Sequence, residues 1–419
     1  MAGGWRQVSA VRLRRLGVLL ALLTACDRAA WQGRVRVLTP HEQYAASLRA
    51  AGLDSTALGR EWLAASDSAL RLPIPMPLPA REAGFFSRAE ARAVAYELRL
   101  GPGRRLDVTF DQVDGLAARV FVDLYRVTTD TVTPLVHVGT ARSDSSGLLA
   151  LREEVEDSTT FLLRLQPELL REGRYELVVR AEPILAFPVA GHGNRAVQSF
   201  WGMARDGGRR RHEGIDIFAK RGTPVVASVD GMIRSTRPNE LGGKVVWLSD
   251  PVRRQSLYYA HLDSQAVVEG QSVRRGDTLG FVGNTGNART TRPHLHFGVY
   301  RRGRGAMDPW PWVRQPTSDA ALVVADTSRL GAVLESSDPQ PTVRRWAANG
   351  ADTLRTLPRG TLVQVVGAQG TWYRVQLATG EVGYVAPRAL GRPVAAGHPR
   401  DAVVARAATP GELRATPTP

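Results

Sequence analysis

Four histidines and one aspartate between Arg211 and Tyr300 hold most of the chemistry this chain displays. They stand in three short motifs: His212-Glu-Gly-Ile-Asp216, Tyr259-Ala-His261-Leu262 and Pro293-His294-Leu-His296-Phe297. Imidazole and carboxylate together suit a zinc ion, and a catalytic zinc keeps three protein ligands and one open position. The chain has eight histidines, so half of them fall in these motifs. A closed structural site uses four ligands and would leave one of the five residues unexplained.

The spacing says which elements must position them. Residues two apart on a strand share a face. His294 and His296 therefore point together, while Leu295 and Phe297 turn toward a core. His212 and Asp216, four apart, share one face of a strand or of a helix. Gly214 and the β-branched Ile215 and Ile217 favour the strand. The helical His-Glu-x-x-His signature is absent. The pattern is that of a metal site built on a sheet.

From about Val189 to Trp312 the chain resembles the LytM/lysostaphin-type metallopeptidases of the M23 peptidase family, zinc endopeptidases that cut peptidoglycan cross-links. The likeness extends beyond the histidines to Gly222-Thr-Pro-Val225, Asp230-Gly231, Gly270-Gln-Ser-Val273, Gly280-Phe-Val-Gly283 and Thr285-Gly286. The resemblance implies that His212, Asp216 and His296 bind Zn2+ and that His261 and His294 are the catalytic histidines. It implies further that zinc polarises the scissile carbonyl and activates a water. One catalytic histidine then takes the water proton and the other stabilises the oxyanion, with the assignment between them open. Two departures bear on substrate preference and leave the metal set untouched. Arg292 stands where glycine is common in the family, and Gly298 replaces a frequent glutamate. A tyrosine upstream of the first ligand often assists in the family; no position here matches it, and Trp201 is the nearest aromatic.

The first 26 residues read as a lipoprotein signal. Arg12, Arg14 and Arg15 form a basic region, Leu16 to Leu23 an apolar stretch too short to span a bilayer, and Leu23-Thr-Ala-Cys26 resembles a bacterial lipobox. Cys26 is the only cysteine, which fits a lipid anchor and excludes disulfides within the chain. The expected location is the cell envelope, with a lipid-anchored protein facing the periplasm or the outer side of the cytoplasmic membrane. Asp27 follows the cysteine, a feature tied in enteric bacteria to retention at the inner membrane. No later apolar run has the length of a transmembrane helix.

The formal charge of +15 falls to about +11 once Arg6, Arg12, Arg14 and Arg15 leave with the signal. A secretion signal and an Arg209-Arg210-Arg211 run without interleaved aromatics argue against nucleic acid. An anionic wall polymer or lipid surface is the better partner. The remaining histidines, His41, His137, His192 and His398, fall in no motif. Gly283-Asn-Thr-Gly-Asn287 lacks the strand, helix and lysine of a phosphate loop and reads as a turn.

The expected fold class is mainly β and multi-domain. After the signal (1–25) come a tether, helical segment and proline-rich linker (26–87), and an antiparallel β-sandwich (88–183) marked by alternating runs such as Val120 to Tyr125. The metallopeptidase domain with its antiparallel sheet and groove follows (189–312), then a linker (313–340) with a strand at Ala321 to Ala325. A domain resembling the bacterial SH3 barrel (341–392) precedes a disordered tail (393–419). In the barrel, Trp372, Tyr373 and Tyr384 either offer contact area to wall peptides or fill the core. The reading carried forward is a zinc endopeptidase acting on peptidoglycan. The rival readings are a non-catalytic activator of wall amidases and a passive wall-binding lipoprotein, and the five intact site positions favour the enzyme.

Overall fold

The structure, a computed structural model, describes residues 37–113, 119–143, 148–337 and 341–394. The segment read as a signal peptide and lipobox, with Cys26, lies outside the described residues, as do His398 and nearly all of the C-terminal tail. The chain divides into two compact units, Met1–Ser47 and Leu48–Pro419. Near the end of the first unit, Thr39 and Glu42 form a reciprocal capping box at the start of the Pro40–Ala50 helix. No described helix is long and apolar enough to cross a membrane.

In the second unit, Thr56 caps the Ala57–Arg71 helix by accepting from the Gly59 amide. Trp62 on that helix is buried and donates its indole N–H to the Pro167 carbonyl, fixing the helix to the sandwich. The fold is mainly β, as the alternation implies. One sandwich sheet runs Ile74–Pro75, Val94–Leu100, Thr159–Pro167, Val120–Val127, Leu135–Thr140. The other contains Ala80–Phe86, Gly173–Pro183, Arg104–Gln112 and Leu149–Val155. Their inner faces share one core that includes Tyr96, Leu98, Val122, Leu163, Leu106, Val108 and Leu177.

The sandwich starts earlier than residue 88. Ile74 and Pro75 pair in parallel with Tyr96 and Glu97, and Ala80–Phe86 pairs along its whole length with Gly173–Val179. The proline-rich stretch is thus partly an edge of the sandwich and not only a linker. The sequence hides this because the inward positions of Ala80–Phe86 are Ala80, Glu82, Gly84 and Phe86. A charged residue and a glycine occupy places where an apolar alternation would be read.

Glu82 explains itself through the barrel. Ala83 and Gly84 pair with Ala368 and Gly367, so the sandwich sheet continues into the SH3-like strands Leu362–Gln369, Trp372–Leu377 and Val382–Val385. At this seam the Arg374 guanidinium lies 2.9 Å from Glu82 and donates to the Tyr175 hydroxyl and the Val366 carbonyl. Tyr96 and Tyr384 donate to the same carboxylate. Both charged groups are fully or nearly buried. Removing one partner of such a pair costs about 3–5 kcal/mol, because the other is left charged in a dry site. Arg374→Ala is therefore expected to lower the unfolding free energy of the full-length chain, read from urea titration, by an amount of that order. The metal centre, which has a separate core, should be unaffected by this change; urea titration alongside zinc analysis checks both.

Both tyrosines are buried, Tyr373 in the barrel core with its hydroxyl donating to the Asp326 carbonyl and Tyr384 at the seam with Glu82, while Trp372 is half exposed. The barrel also claims residues read as linker: Val333–Ser336 pairs with Leu362–Gln369 and Leu390–Pro393. Ala321 to Ala325 is not a strand. The amides of Val324 and Ala325 both go to the Gly370 carbonyl, which leaves no ladder to form.

The sheet that matters for chemistry is wholly antiparallel. Its order is Val197–Ser199, Ile215–Phe218, His294–Arg301, Gln255–Gln265, Lys244–Asp250, Gly231–Ser235. One face buries Ile215, Ile217, Leu295, Phe297, Val299, Leu257, Tyr259, Val246 and Leu248 in a single core. The opposite face carries the site.

Candidate metal centre and catalytic site

Cross-strand register brings the first two motifs together. Asp216 stands opposite His296, and Phe218 opposite His294. Leu295 and Phe297 are fully buried on the core face, so His294 and His296 share the other face as their spacing requires. His212 departs from the expectation: Asp216 lies on the Ile215–Phe218 strand, but His212 lies on the bend before it. Its amide donates to the Met203 carbonyl, and its carbonyl accepts from Gly202. The chain then bends at Gly214, where a Cβ would come within 2.6 Å of the His296 ring and the Phe297 carbonyl. Only glycine lets the first motif pass this close to the second.

His261 reaches the site by a different route. Strand alternation puts Tyr259 in the core and Ala260 opposite His296, which would send residue 261 to the core side. Instead His261 takes a left-handed backbone, φ 63°, at a break in register between Tyr259 and Leu262, which pair with Val246 and Lys244. Such a bulge re-aims a side chain, at a cost of about 1–3 kcal/mol for a non-glycine residue. Its ring centroid lies 5.0 Å from that of His294 and 5.9 Å from that of His296. Two loops hold it there: its amide donates to Gly242 and its Nδ1 to the Thr285 carbonyl at 2.9 Å. These loops meet where Gly286, φ 69°, packs so tightly that a Cβ would stand 2.4 Å from the Gly243 nitrogen and the Leu241 oxygen.

Three candidate ligand atoms form a near-equilateral triangle. His212 Nε2 is 3.0 Å from His296 Nδ1 and 3.0 Å from Asp216 Oδ1, and His296 Nδ1 is 3.1 Å from Asp216 Oδ1. Tautomers follow from the outer contacts. A carbonyl only accepts, so the 2.9 Å contact of His212 Nδ1 with the Phe200 oxygen puts the proton on Nδ1 and leaves a lone pair on Nε2. Asp216 Oδ1 is an acceptor as well. Such converging lone pairs repel unless a cation sits among them. Tetrahedral zinc with bonds of about 2.0–2.1 Å spaces its ligands at about 3.3–3.4 Å, close to what the triangle offers. The donor set therefore fits zinc.

Arg205 completes this centre, and the motifs did not point to it. Its guanidinium donates to Asp216 Oδ2 at 2.7 Å and to the Ser199 hydroxyl. That leaves Oδ1 alone to face the triangle and fixes the carboxylate plane. The available signal was Asp206-Gly207-Gly208, a turn between Ala204–Arg205 and Arg210–Arg211 that folds Arg205 back toward the ligands. Trp201 makes no ring contact with the site histidines among the described residues; the aromatic beside His296 is Tyr258, at 5.9 Å between ring centroids.

The electrostatics separate the roles. Burial would push the Asp216 carboxyl up, but the contacts with His212 and His296 outweigh it and hold the group well below the ordinary range. Burial lowers His296. It also lowers His261, to about 4, with help from His294 and His296. The 2.8 Å contact of His294 Nδ1 with the Arg292 carbonyl, and that of His261 with Thr285, place the proton on Nδ1 in both rings. Their Nε2 atoms are then free acceptors.

Residues 210–309 match the family model described as Peptidase family M23, and residues 342–390 match that described as Bacterial SH3 domain. The chain thus carries an M23 peptidase domain and a bacterial SH3 domain, and its homologues are lysostaphin-type endopeptidases. One relative is the L-Ala–D-Glu endopeptidase of Bacillus subtilis, 36% identical over 140 residues, 31% of this chain and 43% of that protein. Another is the DD-carboxypeptidase/endopeptidase Mpg of Neisseria meningitidis serogroup B, 38% identical over 129 residues, 31% of this chain and 28% of that protein. Among solved structures, the catalytic domain of lysostaphin from Staphylococcus simulans is 31% identical, covers 27% of this chain and 89% of its own, and has a TM-score of 0.26. The chain spans less than half the length of these two curated relatives.

Proposed function

We propose that the protein is a zinc-dependent endopeptidase that hydrolyses amide bonds of peptidoglycan stem peptides or cross-bridges in the cell envelope. The observation that carries this reading is the convergence of His212, Asp216 and His296 on one point, with the Nε2 atoms of His261 and His294 left free beside it. The endopeptidase names of its relatives support the substrate class. His212 Nε2, Asp216 Oδ1 and His296 Nδ1 would hold the metal. When bound, zinc supplies Lewis acidity toward the scissile carbonyl and toward water.

The chain's own residues do the rest. His261 is held neutral by burial, so its Nε2 is available as a proton acceptor at neutral pH. His294, across the same cleft, presents the second Nε2; whichever ring takes the water proton, the other is placed to steady developing oxyanion charge or to return a proton to the leaving amine. Arg205 keeps Asp216 oriented throughout. Anchorage through Cys26 remains part of the proposal and rests on the lipobox residues alone.

The test uses residues 27–419, loaded with zinc and incubated with purified sacculi while new amino groups and released muropeptides are followed. Stoichiometric zinc with release of peptide fragments is the expected result. A protein that releases nothing yet stimulates a wall amidase is an activator, and this reading then falls.

A further inference from the structure

Arg292 is an exposed residue on the turn that enters the His294–Arg301 strand. Its backbone and its side chain both serve the site. The carbonyl accepts from His294 Nδ1, as described above. The guanidinium carbon lies 4.7 Å over the centroid of the Phe218 ring. Phe218 in turn stacks on His294, centroids 5.0 Å apart and planes 28° apart. One aromatic ring thus touches both the guanidinium and a catalytic imidazole, which sets the cation at the rim of the reacting centre.

What holds this guanidinium is neutral. One nitrogen donates to Gln198 Oε1 at 2.7 Å, and the remaining fixed contact is the face of Phe218. No carboxylate lies within ion-pair distance of Arg292 among the described residues. Two other cations near the groove are neutralised, Arg205 by Asp216 and Arg221 by Asp263. A guanidinium has five donors in a rigid fork whose geometry matches a carboxylate. Here one donor is used, the ring lies against the group, and the charge has no counter-ion among the described residues. Arg289, three residues earlier, and Arg211, next to His212, are also exposed and have no acid partner among the described residues. They add positive potential on the segments that carry the site.

We infer that Arg292 is a substrate-specificity residue: it binds a free carboxylate on the peptide whose amide lies at His261 and His294, and so selects stem peptides in which that carboxyl is not amidated. The inference rests on the endopeptidase reading for the identity of the ligand. The site itself is argued from the unpaired, oriented cation.

The experiment titrates the zinc-loaded full-length chain with the stem tetrapeptide L-Ala-γ-D-Glu-L-Lys-D-Ala and with the same peptide carrying both carboxyls as amides. Ligand-observed NMR follows binding and hydrolysis separately in one sample. The free-acid peptide is expected to bind about tenfold more tightly than the diamide, the worth of one charge-assisted hydrogen-bonded pair. Arg292→Ala should erase that difference with zinc content and melting temperature unchanged. Arg292→Lys should keep part of it, since a point charge replaces the fork. Equal binding of the two peptides, discrimination that survives Arg292→Ala, or no binding of either would overturn the inference. Hydrolysis judges the other reading on its own: discrimination in binding without any fragment, from peptide or sacculi, would sink the endopeptidase and leave the carboxylate site standing.

Discussion

His296→Ala is expected to strip zinc from the protein. His296 Nδ1 is one corner of a three-atom donor set, and its strand partner Asp216 is another. A protein zinc site is worth on the order of 10–16 kcal/mol at neutral pH when four ligands share it, so losing one of three protein ligands should weaken binding by at least about a hundredfold. Dialysed His296→Ala should carry little metal, and sacculus hydrolysis should vanish with it. Arg205→Ala provides the graded comparison. It leaves all three ligands in place but frees Asp216 Oδ2, and loss of such an orienting contact typically costs about 10–100-fold in affinity. Competition with a chelator ranks the three proteins. If His296→Ala binds zinc as the parent does, the triangle is not the metal site.

That centre was more legible in the sequence than the body that supports it. The alternation of His294, Leu295, His296 and Phe297 is strict, and a strand with one buried face must obey it. Glycine at 214 argues only for a strand over a helix; the close approach to His296 that it permits shows in the structure. Other features were invisible for identifiable reasons. His261 violates the period of two, because a left-handed residue turns its side chain to the face that alternation denies it. Arg205 precedes Asp216 by 11 residues and meets it only because a tight hairpin returns. Glu82 disguised a core strand, since a buried carboxylate makes sense only with Arg374, which comes 292 residues later. Tyr373 and Tyr384 looked equally suited to surface or core; the barrel interior took Tyr373, and the seam with Glu82 took Tyr384.

His261 and His294 carry the sharpest expected separation between metal and turnover. Neither contributes a corner of the ligand triangle: His294 Nε2 stands 4.0 Å from Asp216 Oδ1, and His261 meets the ligands only by ring contact. His294→Ala and His261→Ala should each retain zinc while lowering the turnover rate on sacculi by about 10²–10⁴-fold, the usual contribution of a positioned acid or base. His261→Ala should also change the pH dependence of stability. His261 in the folded chain takes a proton only near pH 4, while in the unfolded chain it does so near its ordinary 6.5. Between those values the unfolded state binds the extra proton, so stability contributed by the neutral ring is present above pH 6.5 and is lost as pH falls toward 4. Metal-free parent protein should therefore lose stability across that window, and His261→Ala should lose less of it. Urea midpoints measured from pH 7 to pH 4.5 give the slopes. Parallel slopes would mean that burial does not hold His261 neutral, and its assignment as the ready proton acceptor would fall even if turnover were abolished.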